Sequence, residues 1–193
     1  MSQLILDRVA AIGGAVFTGG DYNLNIVGIR SSDTTPNKFN DALYVIYKER
    51  GMWVARWWPI TTDPGLYWLE NPGNQLGVAA VVADRQYKSV WSIGKHRNKY
   101  TALVQTGEIS VHRDNNLDRK VDYSPDNIET GYFGINCHRA TTGTGGSVNV
   151  GKWSAGCQVF AKPQDFSTFM GICAKQVETR GWDSFSYVLL NEW

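Results

Sequence analysis

The chain has 193 residues and a formal net charge of +1, enough length for one hydrophobic core and one domain and too little charge for a basic field. Nucleic acid and anionic membrane surfaces are therefore poor partners. The start, MSQLILDRVAAIGGAVF, carries Asp7 and Arg8 inside its apolar run, so it reads as neither a secretory signal nor a membrane span.

In chain order, Leu4, Ile5, Val9 and Ile12 recur at helical spacing and predict a short helix over 3–16, stopped by Gly13-Gly14. Residues 1–22 form a helical lead-in to a β-rich core over 23–193, the whole being a single domain. From about residue 22 the pattern changes to short β-branched and aromatic runs separated by Gly, Pro, Asn and Asp. These runs predict strands at 24–30, 42–48, 52–60, 77–82, 87–93, 100–105 and 109–113, with hairpin turns at 48–51 and 94–98. His96 falls in the second turn among basic residues and is expected in solvent. Trp53 and Trp57 share a strand face and are assigned to the core, although such rings, with Trp58, Tyr67 and Trp68, can also stack on sugars.

The run Asp114, Asn116, Asp118 and Asp122 has the oxygen spacing of a calcium loop. Arg119 stands where that loop needs glycine and Pro125 where it needs glutamate, so a polar turn between strands is the competing reading. A structural calcium is thus the one candidate cofactor, and none is required by the chemistry below. Thr142–Ser147 is glycine-rich but lacks the Gly-Lys-Ser/Thr ending of a phosphate loop.

Gly134-Ile135-Asn136-Cys137-His138 reads as a strand that presents an imidazole, and Gln158 to Ala161 as a second strand. Between them a Gly/Thr/Ser-rich loop leads into Ser154-Ala155-Gly156-Cys157. Glycine before a nucleophile permits a tight turn, whose backbone N–H groups can face an oxyanion. A cysteine attacks as thiolate, and imidazole is the usual means of generating one near neutral pH. The three cysteines form no CxxC or CxxH pairing, which indicates neither disulfides nor a zinc knuckle. Cys137 alternates away from His138, and Cys173 lies on an apolar stripe with Phe166, Phe169, Met170 and Val177. That stripe predicts an amphipathic helix over 163–180, followed by a last strand at 184–190. The fold class is α+β, mainly β, a mixed sheet or sandwich with the C-terminal helix packed on it.

His138, fifteen intervening residues and then Ser154-x-Gly156-Cys157 resemble the signature of L,D-transpeptidase (YkuD-type) catalytic domains. The resemblance covers about residues 130–161 in motif. It implies a β fold with the cysteine at the mouth of a groove. It also implies an acyl-enzyme formed by Cys157, with His138 as base and a backbone carbonyl orienting it. Ala155 stands where the family has a second histidine, and Gln158-Val159 replaces the usual apolar residue and Asn or Arg. These departures favour hydrolysis over transpeptidation. The runs 41–47 and 61–65 also resemble proteins of bacteriophages. The implied function is an endolysin-like or virion-borne cysteine peptidase. It would be made in the host cytoplasm and cleave peptidoglycan stem peptides at the wall. Ser154, Gly156 and Arg139 are the expected oxyanion or substrate contacts. The rivals are a cross-linking transpeptidase and a wall-binding or virion structural domain. A zinc site built from His112, His138 and a cysteine lacks compact ligand spacing.

Overall fold

The computed structural model describes residues 2–193. Helix α1 (Ser2–Ala11) lays Ile5, Leu6 and Val9 onto Val27, Ile46, Val188 and Leu190. Strands β1 (Asn25–Arg30), β2 (Asp41–Glu49) and β3 (Met52–Thr61) follow as an antiparallel meander. Arg50 and Gly51, both at positive φ, make the two-residue turn between β2 and β3 that strand twist favours. A short helix α2 (Leu66–Glu70) leads to β4 (Val78–Val81), β5 (Arg85–His96), β6 (Tyr100–Gln105) and β7 (Ile109–Asp114). A 3-10 turn precedes β8 (Ile128–Gly131), and β9 (Cys137–Arg139), β10 (Gln158–Phe160), α3 (Pro163–Arg180) and β11 (Ser184–Asn191) complete the chain.

Eight of these strands close into a barrel in the order β1-β11-β5-β6-β9-β10-β3-β2, and β4, β7 and β8 form a separate three-stranded sheet. The chain is thus mainly β with few helices, as its α+β reading implied. The main sheet is mixed, with parallel and antiparallel pairings, and it closes into a barrel rather than forming a sandwich. Two parallel pairings, β1 with β11 from opposite ends of the chain and β9 with β10 across a single loop, take part in a closure that removes the free edges of the main sheet. Trp91, Leu103, Phe160, Phe185 and Tyr187 fill one large core with the apolar side of α3. There Phe166 and Phe169 of α3 pack against Phe160, and Phe169 meets the edge of Trp58. Gly181, at φ +69, ends α3 with its N–H on the Val177 carbonyl.

Three local expectations change. β5 runs through His96, so the turn comprises residues 97–99, with Arg97 and Asn98 at positive φ. His96 is consequently buried rather than solvated. Trp53 and Trp57 are 42% and 59% exposed, whereas Trp58 on the opposite face of β3 is 8% exposed and belongs to the core. Both faces of β3 carry tryptophan, and only the closure of the barrel decides which is inside. Among the described residues no helix is long and apolar enough to cross a membrane.

Phe160→Ala removes a ring held among three aromatic neighbours and should cost about 3–5 kcal/mol. Trp57→Ala, which gives up only a cross-strand stack with Tyr44, should cost less than about 1 kcal/mol. Urea denaturation of the two variants checks the assignment, and equal losses would contradict it.

Candidate active site around Cys157 and His138

The site forms where β9 and β10 run side by side. Gln158 pairs with Cys137, Val159 with His138 and Phe160 with Arg139. By strand alternation, Cys157 and His138 occupy the sheet face opposite Cys137 and Gln158. Cys137 is fully buried in the core, and so is Cys173. Cys157 is half-buried just before β10.

The turn into Cys157 depends on Gly156. Its φ is +117°, and a Cβ there would lie 2.5 Å from the Ala79 carbonyl oxygen of β4, closer than side-chain carbons approach. Ser154 Oγ accepts the Gly156 N–H at 3.1 Å and donates to the Cys157 carbonyl at 2.8 Å. Ser154 is wholly buried, so it shapes the turn and is not the substrate contact expected of it. Engagement of the Gly156 N–H also removes that group as an oxyanion donor. The Cys157 N–H has no partner among the described residues and stands free for the role. From the interior, Tyr187 Oη donates to Gln158 Oε1 at 2.7 Å, and Gln158 Nε2 donates to the Gly156 carbonyl at 3.3 Å. Gly28 makes room for that hydroxyl, because a Cβ there would meet it at 2.0 Å.

Cys157 Sγ donates to the Gly134 carbonyl and accepts the Asn136 N–H, both at 3.4 Å. Asn136 Oδ1 accepts the Gln105 N–H at 2.9 Å, which turns its Nδ2 toward His96 Nδ1 at 3.0 Å. An amide N–H₂ only donates, so His96 Nδ1 accepts and neutral His96 carries its proton on Nε2. His138 has the opposite tautomer. Its Nδ1 lies 3.0 Å from the Arg139 carbonyl, an acceptor, so Nδ1 is protonated and Nε2 holds a lone pair. Tyr100 Oη donates to the same carbonyl at 3.1 Å and lies 3.3 Å from His138 Nδ1. The Arg139 guanidinium covers the Tyr100 ring at 4.1 Å and donates to the Thr141 carbonyl.

The two imidazoles stack with centroids 4.0 Å apart. Burial, reinforced by His96 and by Arg97 and Arg139, lowers the His138 pKa to about 3. Burial and then Arg97 lower His96 to about 4. Burial pushes the Cys157 thiol up to about 11 against the opposing pull of the Asn136 N–H and Arg97. The resting pair is therefore a neutral thiol and a neutral imidazole. No hydrogen bond joins Sγ to His138 among the described residues.

Comparison with protein-family models, curated proteins and solved structures finds no match. The site's chemistry therefore rests on its own geometry.

The remaining sequence candidates lie elsewhere. Asp114, Asn116, Asp118 and Asp122 follow β7 as a ladder of side-chain turns, each oxygen accepting an N–H two residues on. Asp114 also accepts the Asp122 N–H. That ladder accounts for the two-residue spacing without a cation. Arg119 takes a positive φ where a calcium loop has glycine, and it pairs with Glu70 at 3.0 Å. Among the described residues no three His, Cys, Asp or Glu side chains are grouped to hold a metal ion. His112 bonds the Ser124 carbonyl through Nδ1 and packs on Tyr123, away from the β9–β10 pair. The residues missed from sequence are His96, Tyr100 and Asn136. Asn136 carried a readable signal, a polar residue next to the Cys-His pair in an apolar run.

Nitrogen-15 NMR of the imidazoles should find His138 protonated on Nδ1, His96 on Nε2, and neither titrating above about pH 5. Because both folded pKa values lie below the unfolded value of about 6.5, the unfolded chain binds more protons in acid. Folding stability should therefore fall as pH drops below about 6.5 and keep falling until about pH 3–4. Titration of either ring near neutrality would overturn the assigned burial.

Proposed function

We propose that the protein is a cysteine-dependent acyl-transfer enzyme that hydrolyses amide bonds in peptidoglycan stem peptides. The observation that carries this reading is the His138 tautomer. The Arg139 carbonyl fixes the proton on Nδ1 and leaves Nε2 as a base on the same sheet face as Cys157. The L,D-transpeptidase-like motif, and the fold it implies, belong to the same proposal. So does the endolysin-like or virion-borne setting suggested by the phage-like runs.

Because thiol and imidazole rest neutral, thiolate formation accompanies attack. The thiol rotates from the Gly134 carbonyl toward His138 as substrate enters. Sγ bonds to the scissile carbonyl carbon while its proton passes to Nε2. The Cys157 N–H receives the oxyanion. The C–N bond then breaks, Nε2 returns the proton to the leaving amine, and a thioester remains. Water attacks the thioester as Nε2 takes its proton. The C–S bond breaks, the proton returns to sulfur, and the product leaves as a carboxylic acid. An acceptor amine in place of water would give transpeptidation by the same steps.

Purified peptidoglycan incubated with the protein should release new stem-peptide fragments identifiable by mass spectrometry. Cys157→Ala should release none, and His138→Gln should slow release by about 10²–10⁴-fold. Equal release by wild type and Cys157→Ala would remove Cys157 as the nucleophile. Fragments that appear only with an added acceptor peptide would assign transpeptidation.

A further inference from the structure

A cavity of about 380 Å³ opens on one side of His138, lined also by His96, Arg97, Lys99, Arg139 and Lys152. Four cationic side chains share it and no carboxylate lines it. Among the described residues none of the four takes part in an ion pair. Lys152 lies over the Tyr67 ring at 3.9 Å and Arg139 over Tyr100 at 4.1 Å, which places both without neutralising them. Lys152 is further fixed because its carbonyl accepts the Trp68 indole N–H at 3.1 Å. Arg97 and Lys99 project from the β5–β6 turn, where Arg97 and Asn98 hold positive φ and the Lys99 N–H closes the turn on the His96 carbonyl at 2.9 Å. Uncompensated like charges around one concavity repel one another, a cost that an anionic ligand relieves. The neutral His96 adds a donor, because its proton sits on Nε2.

We propose that this cavity is a subsite for a free carboxylate of the peptide substrate, held by Arg97, Lys99, Lys152 and Arg139 beside the catalytic base. The assignment of the ligand as a peptide rests on the acyl-transfer reading; the anion preference rests on the cavity itself. A carboxylate bound there gives the enzyme a handle that an interior amide of an ordinary protein lacks. It selects peptides with an acidic group near the scissile bond.

The test uses Cys157→Ala protein, so that binding is read without turnover. N-acetyl-D-alanyl-D-alanine and its C-terminal amide are titrated while backbone amide shifts are followed by NMR. The acid should bind about tenfold or more tightly than the amide, with shifts centred on Arg97, Lys99 and Thr141, and the preference should shrink as ionic strength rises. Adding Arg97→Asn and Lys99→Gln should abolish the preference. Asn tolerates the left-handed φ at position 97, and an unchanged melting temperature verifies the fold. Equal binding of acid and amide, no binding of the acid, or shifts confined to another surface would each overturn the subsite. Those outcomes leave fragment release from peptidoglycan by wild type untouched, so the two readings fail separately.

Discussion

The parallel pairing of β9 with β10 is the constraint on which the site depends. It is only three residue pairs long, yet it brings together two segments separated by a loop and closes the barrel between β6 and β3. So short a ladder gains little from its own hydrogen bonds, and its neighbours supply the support. On the β6 side, Leu103 with Cys137 is the sole register pair. The Gln105 side chain compensates. Its Oε1 accepts the Phe133 and Ile135 N–H groups, and its Nε2 donates to the Gly107 and Gly131 carbonyls. The Trp91 indole holds the Ile135 carbonyl at 2.8 Å. One half-buried amide and one indole thus fix the segment that delivers Asn136 and His138.

The electrostatics of the site follow from the same burial. A pair of histidines stacked in a partly dry site cannot both be charged, and the nearby guanidinium groups of Arg97 and Arg139 raise the cost further. Burial likewise outweighs the pull of Arg97 on the thiol, which stays protonated. Such a site does not store a thiolate. It holds a neutral thiol beside two neutral imidazoles in opposite tautomers. A neutral nucleophile is also less open to oxidation than a preformed thiolate, because thiolate character governs that reactivity.

Sequence patterning reached the elements whose neighbours are local. The hairpin strands β2 and β3 and the helix α3 carry their own periodicity, and the bounds read for α3 match the structure. β8 was missed because it is an edge strand of four residues with no buried position. α2 was missed because it is five residues long with no side-chain cap. His96 was misplaced for a different reason. Its burial comes from His138 and Asn136, some forty residues later, and nothing among Lys95, Arg97 and Lys99 announces them. The proximity of Cys157 and Gly156 to His138 was legible because the two segments are compact along the chain and pair as neighbouring strands. Ser154 was legible as part of the motif but not in its role. Only the structure shows its hydroxyl satisfied on both sides within the turn.

The departures from the motif take on a physical meaning in this geometry. Position 155, histidine in the motif that this segment resembles, is an exposed alanine here and lines a different cavity with Trp68, Tyr132 and Phe133. The imidazole beside His138 comes from the end of β5, stacked on that ring and tied through Asn136 to the backbone N–H that reaches Sγ. A ring delivered by β5 is coupled to the conformation of the β5–β6 turn, which also carries Arg97 and Lys99. The turn that presents charge to the cavity is therefore the one that seats His96 against His138. A ring at position 155 would instead be tied to the turn that precedes Cys157.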